Sequence, residues 1–151
     1  MSDVGARRVR WYGFRSPLGP ICYGWDGDCC HAVRLGAGGG EDLHDDAVSR
    51  WLAGYFAGGE APPPPLAAPA TPFQARLRRA LEHVGRGETV TYGALARMVG
   101  SAPRATGRAL GANPLPLLVP CHRVVAARGR PGGFSAGLEW KLRLLSLERK
   151  G

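Results

Sequence analysis

The chain reads as an α+β protein in two parts: a small sheet with one covering helix, then a mostly helical half built around a helix-turn-helix. Three observations predict this. Short alternating stretches separated by turn residues fill residues 8–35, and helical spacing takes over after residue 72. A proline-rich segment divides the two patterns. Charge follows the same division: residues 1–60 hold six Arg and eight Asp or Glu, net −2, and residues 61–151 hold twelve Arg, two Lys and four Glu, net +10. The use of Arg over Lys, eighteen against two, is what a GC-rich coding sequence gives, but that does not account for the segregation. The C-terminal half is therefore expected to meet a polyanion, a nucleic acid.

Each element has its own signal. Arg8–Phe14, Ile21–Trp25 and Cys30–Leu35 read as strands, with turns at Ser16-Pro17-Leu18-Gly19 and Asp26-Gly27-Asp28. Leu43–Phe56 carries Ala47, Val48, Trp51, Leu52, Tyr55 and Phe56 at helical spacing, so it covers the sheet. The Pro/Ala run from Gly58 to Pro72 reads as a semi-rigid extended connector, which sets domains at 1–60, 61–72 and 73–151. Phe73, Leu77, Ala80, Leu81 and Val84 then repeat at three and four, and Gly85 ends that helix. Thr91 stands as N-cap before Tyr92–Val99, and Gly100 closes it. Ser101-Ala102-Pro103 leads into Arg104–Ala112, stopped by Asn113-Pro114, which completes a helix-turn-helix. Small residues along this second helix suit close approach to a groove, and Arg104 falls at its N-terminal end, where backbone N–H groups favour phosphate. Val124–Ala127 reads as a strand, residues 128–137 as a Gly-rich loop, and Glu139–Arg149 as a closing helix with Leu138, Leu142, Leu145 and Trp140 as its apolar residues.

The bulk numbers exclude some classes. With 151 residues and 44% apolar content, the chain can bury a real core. No stretch approaches the roughly 20 apolar residues of a membrane span, and the N-terminus lacks the apolar core of a signal peptide. Four cysteines, Cys22, Cys29, Cys30 and Cys121, are then expected as reduced thiols in a cytoplasmic protein.

Pro120-Cys121-His122-Arg123-Val124 is the most informative stretch. A cysteine flanked by a rigid proline and two groups able to carry positive charge has the equipment of a nucleophile, because such neighbours favour the thiolate.

With Thr-Val-Thr-Tyr-Gly-Ala-Leu-Ala-Arg at 89–97, Arg-Ala-Thr-Gly at 104–107, Asn-Pro-Leu-Pro-Leu-Leu-Val-Pro-Cys-His-Arg-Val-Val at 113–125 and Gly-Phe-Ser-Ala-Gly-Leu at 133–138, the chain resembles the O6-alkylguanine-DNA alkyltransferases. The resemblance covers residues 73–149 closely and the N-terminal part loosely, mainly through Ser16-Pro17-Leu18-Gly19. It implies a ribonuclease-H-like N-terminal domain and a winged helix-turn-helix catalytic domain. It implies that Cys121 accepts the alkyl group, that His122 acts as base through a water, that Glu148 orients His122, and that Asn113 braces the turn before the cysteine. Tyr92 would donate towards the guanine, Arg104 would fill the space of a flipped nucleotide, and Arg123 would lie among the DNA-contacting residues. Val124, Phe134 and Ser135 would line the base pocket. Phe134 stands where the family often has Tyr, and Ala136 where Gly is common, so bulky O6-benzyl-type adducts are expected to fit less readily. The loop before Arg104 is about two residues shorter than in some relatives.

The chemistry agrees with the resemblance. An alkyl group on guanine O6 lies inside the duplex, so the base must leave the stack, and an inserted side chain offsets part of that cost. Sulfur attack leaves a thioether with no easy hydrolytic exit, so the protein is expected to act once, without cofactor, on double-stranded DNA containing O6-alkylguanine and O4-alkylthymine as a second candidate. A monomer is expected, with cooperative lining-up on DNA left open. Some family members hold structural zinc in the N-terminal half, but Cys22, Cys29, Cys30 and His31 give no clean tetrahedral spacing and the family's cysteine positions hold Arg7 and Asp26; no metal is expected. The alternatives are a lesion-binding protein that removes nothing, against which Cys121 argues, and a helix-turn-helix transcription regulator, which lacks an adaptor domain. A cysteine hydrolase would draw its His from a distant part of the chain.

Overall fold

The computed structural model describes residues 8–42 and 44–150. Residues 1–7, Leu43 and Gly151 lie outside the described residues, and with them Arg7 and the expected first residue of the helix from Leu43. The chain divides into two compact units, residues 1–67 and 68–151.

In the first unit β1 (Arg10–Ser16), β2 (Gly19–Trp25) and β3 (Cys30–Leu35) form an antiparallel meander, and β4 (Glu41–Asp42) pairs parallel to β1. The sheet order is β3-β2-β1-β4. Ser16 shapes the first hairpin: its hydroxyl donates to Gly19 O at 2.6 Å and accepts from the Leu18 N–H at 3.2 Å. Asp26 shapes the second turn by accepting from the Asp28 and Cys29 amides, both at 2.8 Å, an Asx turn. Helix α1 (Ala47–Phe56) starts later than the apolar spacing suggests. The reason is Asp46, whose carboxylate caps the Ser49 N–H at 2.8 Å and also takes hydrogen bonds from Tyr23 and His44, both at 2.6 Å. Burying Val48, Leu52 and Tyr55 with Ile21, Tyr23 and Val33 makes the core of this unit.

The proline-rich segment is not a free connector along its whole length. Cys30 N–H donates to Pro65 O at 2.9 Å and Ala67 N–H to Cys30 O at 2.8 Å, so residues 65–67 cover the outer edge of β3. Prolines lack a donor and can serve only at such an edge, while Leu66 and Ala67 complete the pairing. This is why the boundary falls at 67, inside the expected 61–72 connector.

The second unit begins with α2 (Pro72–Leu81), which has Thr71 as N-cap and Pro72 in its first turn. Strand β5 (Val90–Thr91), unforeseen from the sequence, pairs parallel with β6 (Val124–Val125). Helices α3 (Tyr92–Met98) and α4 (Pro103–Gly111) form the expected pair. Between them Gly100, at φ 68, ends α3. Ser101 N–H returns to Ala96 O and Gly100 N–H to Arg97 O, the two bonds of a Schellman cap. A 3-10 turn, Cys121–Arg123, precedes β6, and a second, Ala127–Gly129, cuts that strand short of the expected Ala127.

Helix α5 (Leu138–Lys150) presents a different face from the one the leucines suggest. Leu138 and Leu142 are 47% and 44% exposed, while Lys141, Leu144, Leu145 and Glu148 are buried. The two charged residues find partners inside, and a buried polar group with partners satisfied outweighs the gain from covering two surface leucines.

Candidate active site

The segment between α4 and β6 takes its shape from Asn113 and the prolines. Pro114 and Pro116 bar continuation of α4. Asn113 Oδ1 accepts the Leu115 N–H at 3.1 Å, and its Nδ2 donates to Cys121 Sγ at 3.3 Å. Leu117 adopts φ 78, a left-handed backbone uncommon for a non-glycine residue, and its amide also bonds the Cys121 sulfur. The cysteine is 5% exposed. Burial pushes its thiol above the ordinary value, against opposing pulls from the Asn113 hydrogen bond and, more weakly, the Lys141 charge.

His122 is fully buried, and its Nε2 lies 2.6 Å from Glu148 Oε2. Arg123 grips the same carboxylate in a fork, Nε to Oε1 at 2.9 Å and an Nη to Oε2 at 3.1 Å, and its other Nη donates to Val84 O at 2.8 Å. The Gly87 amide reaches Oε1 at 3.4 Å. Because Arg123 already supplies the cation for Glu148, His122 has no need to carry one. Burial holds its pKa below 6.5, outweighing the opposite pull of Glu148. With Nε2 donating to the carboxylate, Nδ1 carries the lone pair. That nitrogen is buried and has no protein partner among the described residues.

Two expectations are corrected here. His122 and Arg123 were expected to favour the Cys121 thiolate as flanking cations. His122 is instead held neutral, and Arg123 is committed to Glu148 and Val84. Arg123 was also expected on DNA; its side chain, 13% exposed, braces Glu148 from inside the protein.

Lys141 is the residue of this group that the sequence reading missed. Its ammonium is completely buried and donates to Val124 O at 2.6 Å and Gly133 O at 2.8 Å. It is the cation whose charge acts on Cys121. The available signal was its spacing of seven from Glu148, which puts both on one face of α5 with Leu144 and Leu145 between them.

The remaining candidates fall around this group or on the surface. Tyr92, half-buried at the start of α3, donates to Gly133 O at 3.2 Å, and its ring lies 5.7 Å from the Lys141 ammonium. Gly132, at φ 74, lies so close to that ring that a Cβ would sit 2.7 Å from Tyr92 Cε2. Phe134 meets His122 edge-on at 6.5 Å. Val124 is buried with its carbonyl taken by Lys141, Ser135 is exposed, and Arg104 is exposed in the first turn of α4.

In the first unit, Cys22 and Cys30 are buried, while Asp26, Cys29 and His31 bring donor atoms within 4.8 Å of one another. His31 Nε2 lies 2.7 Å from Asp26 Oδ2, and Cys29 Sγ 3.6 Å from His31 Nε2. Burial and then Asp26 raise the Cys29 thiol pKa, so it stays protonated. These contacts extend the Asx turn of Asp26.

Residues 72–150 match the family described as 6-O-methylguanine DNA methyltransferase, DNA binding domain. The chain is 38% identical to the methylated-DNA–protein-cysteine methyltransferase of Methanosarcina acetivorans over 149 residues, covering 89% of this chain and 95% of that one. It is 36% identical to the protein of that name from Metallosphaera sedula, covering 93% of each. Its fold superposes on the crystal structure of Mycobacterium tuberculosis O6-methylguanine methyltransferase with a TM-score of 0.81 at 32% identity, covering 95% of this chain and 94% of that one. It also superposes on the same organism's OGT in complex with DNA, with a TM-score of 0.80 at 32% identity and 93% of each chain covered. On the match to both halves and the arrangement around Cys121, the chain belongs to the methylated-DNA–protein-cysteine methyltransferase family.

Proposed function

We propose that this protein repairs O6-alkylguanine in duplex DNA by moving the alkyl group irreversibly to Cys121, once per molecule and without a cofactor. The observation that carries the reading is a buried thiol held by Asn113 beside a neutral histidine whose other nitrogen is fixed by Glu148. The thiol proton passes through a water to His122 Nδ1, Glu148 and Arg123 keeping the ring in the tautomer that accepts it. Lys141 supports the thiolate as it forms. Sulfur then attacks the alkyl carbon, the carbon–O6 bond breaks with its electron pair left on the oxygen, and guanine regains a proton in place of the one Cys121 gave up.

Within this reading α3 and α4 form a winged helix-turn-helix, with the turn at 126–130 as wing, and the unit ending at residue 67 is a ribonuclease-H-like domain. Helix α4, with its small residues and exposed Arg104, approaches the DNA, and Arg104 fills the space of the flipped base. Tyr92 turns its hydroxyl from Gly133 O to the guanine. Phe134, Ser135 and the backbone near Val124 line the base pocket. A reducing compartment, the cytoplasm, suits an acceptor that must remain a thiol. Incubation with an O6-methylguanine oligonucleotide should add one methyl group to the protein, read by intact mass, and Cys121→Ser should remain unmodified. Methylation that persists in Cys121→Ser would refute the assignment.

A further inference from the structure

We propose that the Lys141 ammonium is a latch, a positioning residue that holds the loop 131–134 against Tyr92 and His122 and thereby closes the mouth of the acceptor site. A fully buried lysine is expensive unless its charge is met. Here it is met by two backbone carbonyls, not by a carboxylate. One, Val124 O, belongs to β6 and is fixed by pairing with β5. The other, Gly133 O, belongs to a loop whose Gly132, Gly133 and Gly137 give it little intrinsic order. The ammonium therefore joins a rigid element to a soft one.

The soft element is what faces the chemistry. Gly132 packs closely against the Tyr92 ring, Gly133 O receives the Tyr92 hydroxyl as well as the ammonium, and Phe134 stands edge-on to His122. Charge-assisted hydrogen bonds are roughly twice as strong as neutral ones, so of the two donors on Gly133 O the lysine is the stronger. Releasing it frees the carbonyl, the Tyr92 hydroxyl and the wall beside His122 together. The titratable groups around the ammonium are Cys121 and His122 on the 3-10 turn and Tyr92 on α3. Burial pulls the Lys141 pKa down from 10.5 to about 8. The latch thus keeps its charge well below that value and weakens as pH rises through it.

The test reads the loop directly and needs no substrate. The Gly137 amide, bonded to Phe134 O at 3.0 Å, reports loop opening by hydrogen exchange. Lys141→Met, which keeps length and removes charge, should speed that exchange roughly tenfold, with the Leu144 and Leu145 amides of α5 unchanged. Tyr92→Phe should alter it by no more than about twofold, as expected for a neutral bond. In the unmutated protein, protection corrected for intrinsic exchange should fall as pH rises past about 8, and this arm stands even if Lys141→Met does not fold. Unchanged Gly137 exchange in Lys141→Met, equal acceleration along α5, or pH-independent protection would each overturn the latch. The proposal takes its functional meaning from the reading of Cys121 as alkyl acceptor. Loop protection that responds as expected in a protein that accepts no methyl group would remove that reading and leave the latch standing.

Discussion

At the scale of single residues, the site is governed by where charge is not allowed. Cys121 and His122 are both buried, and burial raises the thiol pKa and lowers that of the imidazole, so both rest neutral near pH 7. In the proposed reaction a neutral thiol beside a neutral imidazole gives His122 the part of base. His122→Ala should slow single-turnover methyl transfer at neutral pH by about 10²–10⁴-fold, and its rate should then climb with pH past the ordinary thiol range as thiolate forms directly. The unmutated protein should be flat through neutral pH and lose activity in acid, as His122 takes a proton. Stability follows the same sign. The unfolded histidine binds its proton at the ordinary value and the folded one lower, so the unfolded chain holds more protons and stability declines as pH falls below 6.5. Rapid-quench rates and thermal melts across the pH range check both; a His122→Ala rate parallel to the unmutated one would remove the base.

At the scale of elements, caps and prolines decide where helices start, and those starts aim the functional side chains. Thr91 accepts from the Ala94 N–H at 3.1 Å, which begins α3 at Tyr92 and puts that ring beside Gly132. Pro103 begins α4 one residue before Arg104, which leaves the guanidinium exposed at the helix N-terminus. Arg104→Ala should therefore slow repair of duplex DNA about tenfold or more, since an inserted side chain offsets unstacking, and leave transfer from free O6-methylguanine within about twofold. Parallel measurements on the two substrates check this, and equal losses would show that Arg104 does not insert. These starts were legible in the sequence, because Thr91 lies three residues before the amide it caps and Pro103 stands in the first turn of the helix it begins. Helix α5 was misread for the opposite reason. Its leucines suggested one inward stripe, but partners 17 and 26 residues away pull Lys141 and Glu148 inside.

At the scale of the whole molecule, the charge division coincides with the structural one. Residues 61–67 carry no charge, so the unit ending at residue 67 holds the net −2 and the unit from residue 68 the net +10. Alkylation should be felt as a loss of stability. A methyl on Cys121 enters a site 5% exposed and displaces the Asn113 hydrogen bond. Overpacking of this kind costs about 1–3 kcal/mol, and each kcal/mol lowers the melting temperature by roughly 2–8 °C for domains of this size range. Thermal melting before and after stoichiometric reaction, with Cys121→Ser as the unreacted control, measures it. An unchanged or raised melting temperature would contradict the expectation.

The sequence by itself determined the helix pair α3 and α4, the three-stranded meander and the Pro-Cys-His-Arg run, because each is written in residues a few positions apart, and the segregation of charge, because composition alone carries it. Only the tertiary structure decided what the charged residues around the cysteine do. Arg123 turns from DNA to Glu148 25 residues away, Lys141 goes inside to meet Val124 and Gly133, and residues 65–67 close the edge of β3. Burial and pairing are properties of the folded neighbourhood, and no local pattern announces which distant partner will satisfy a charge.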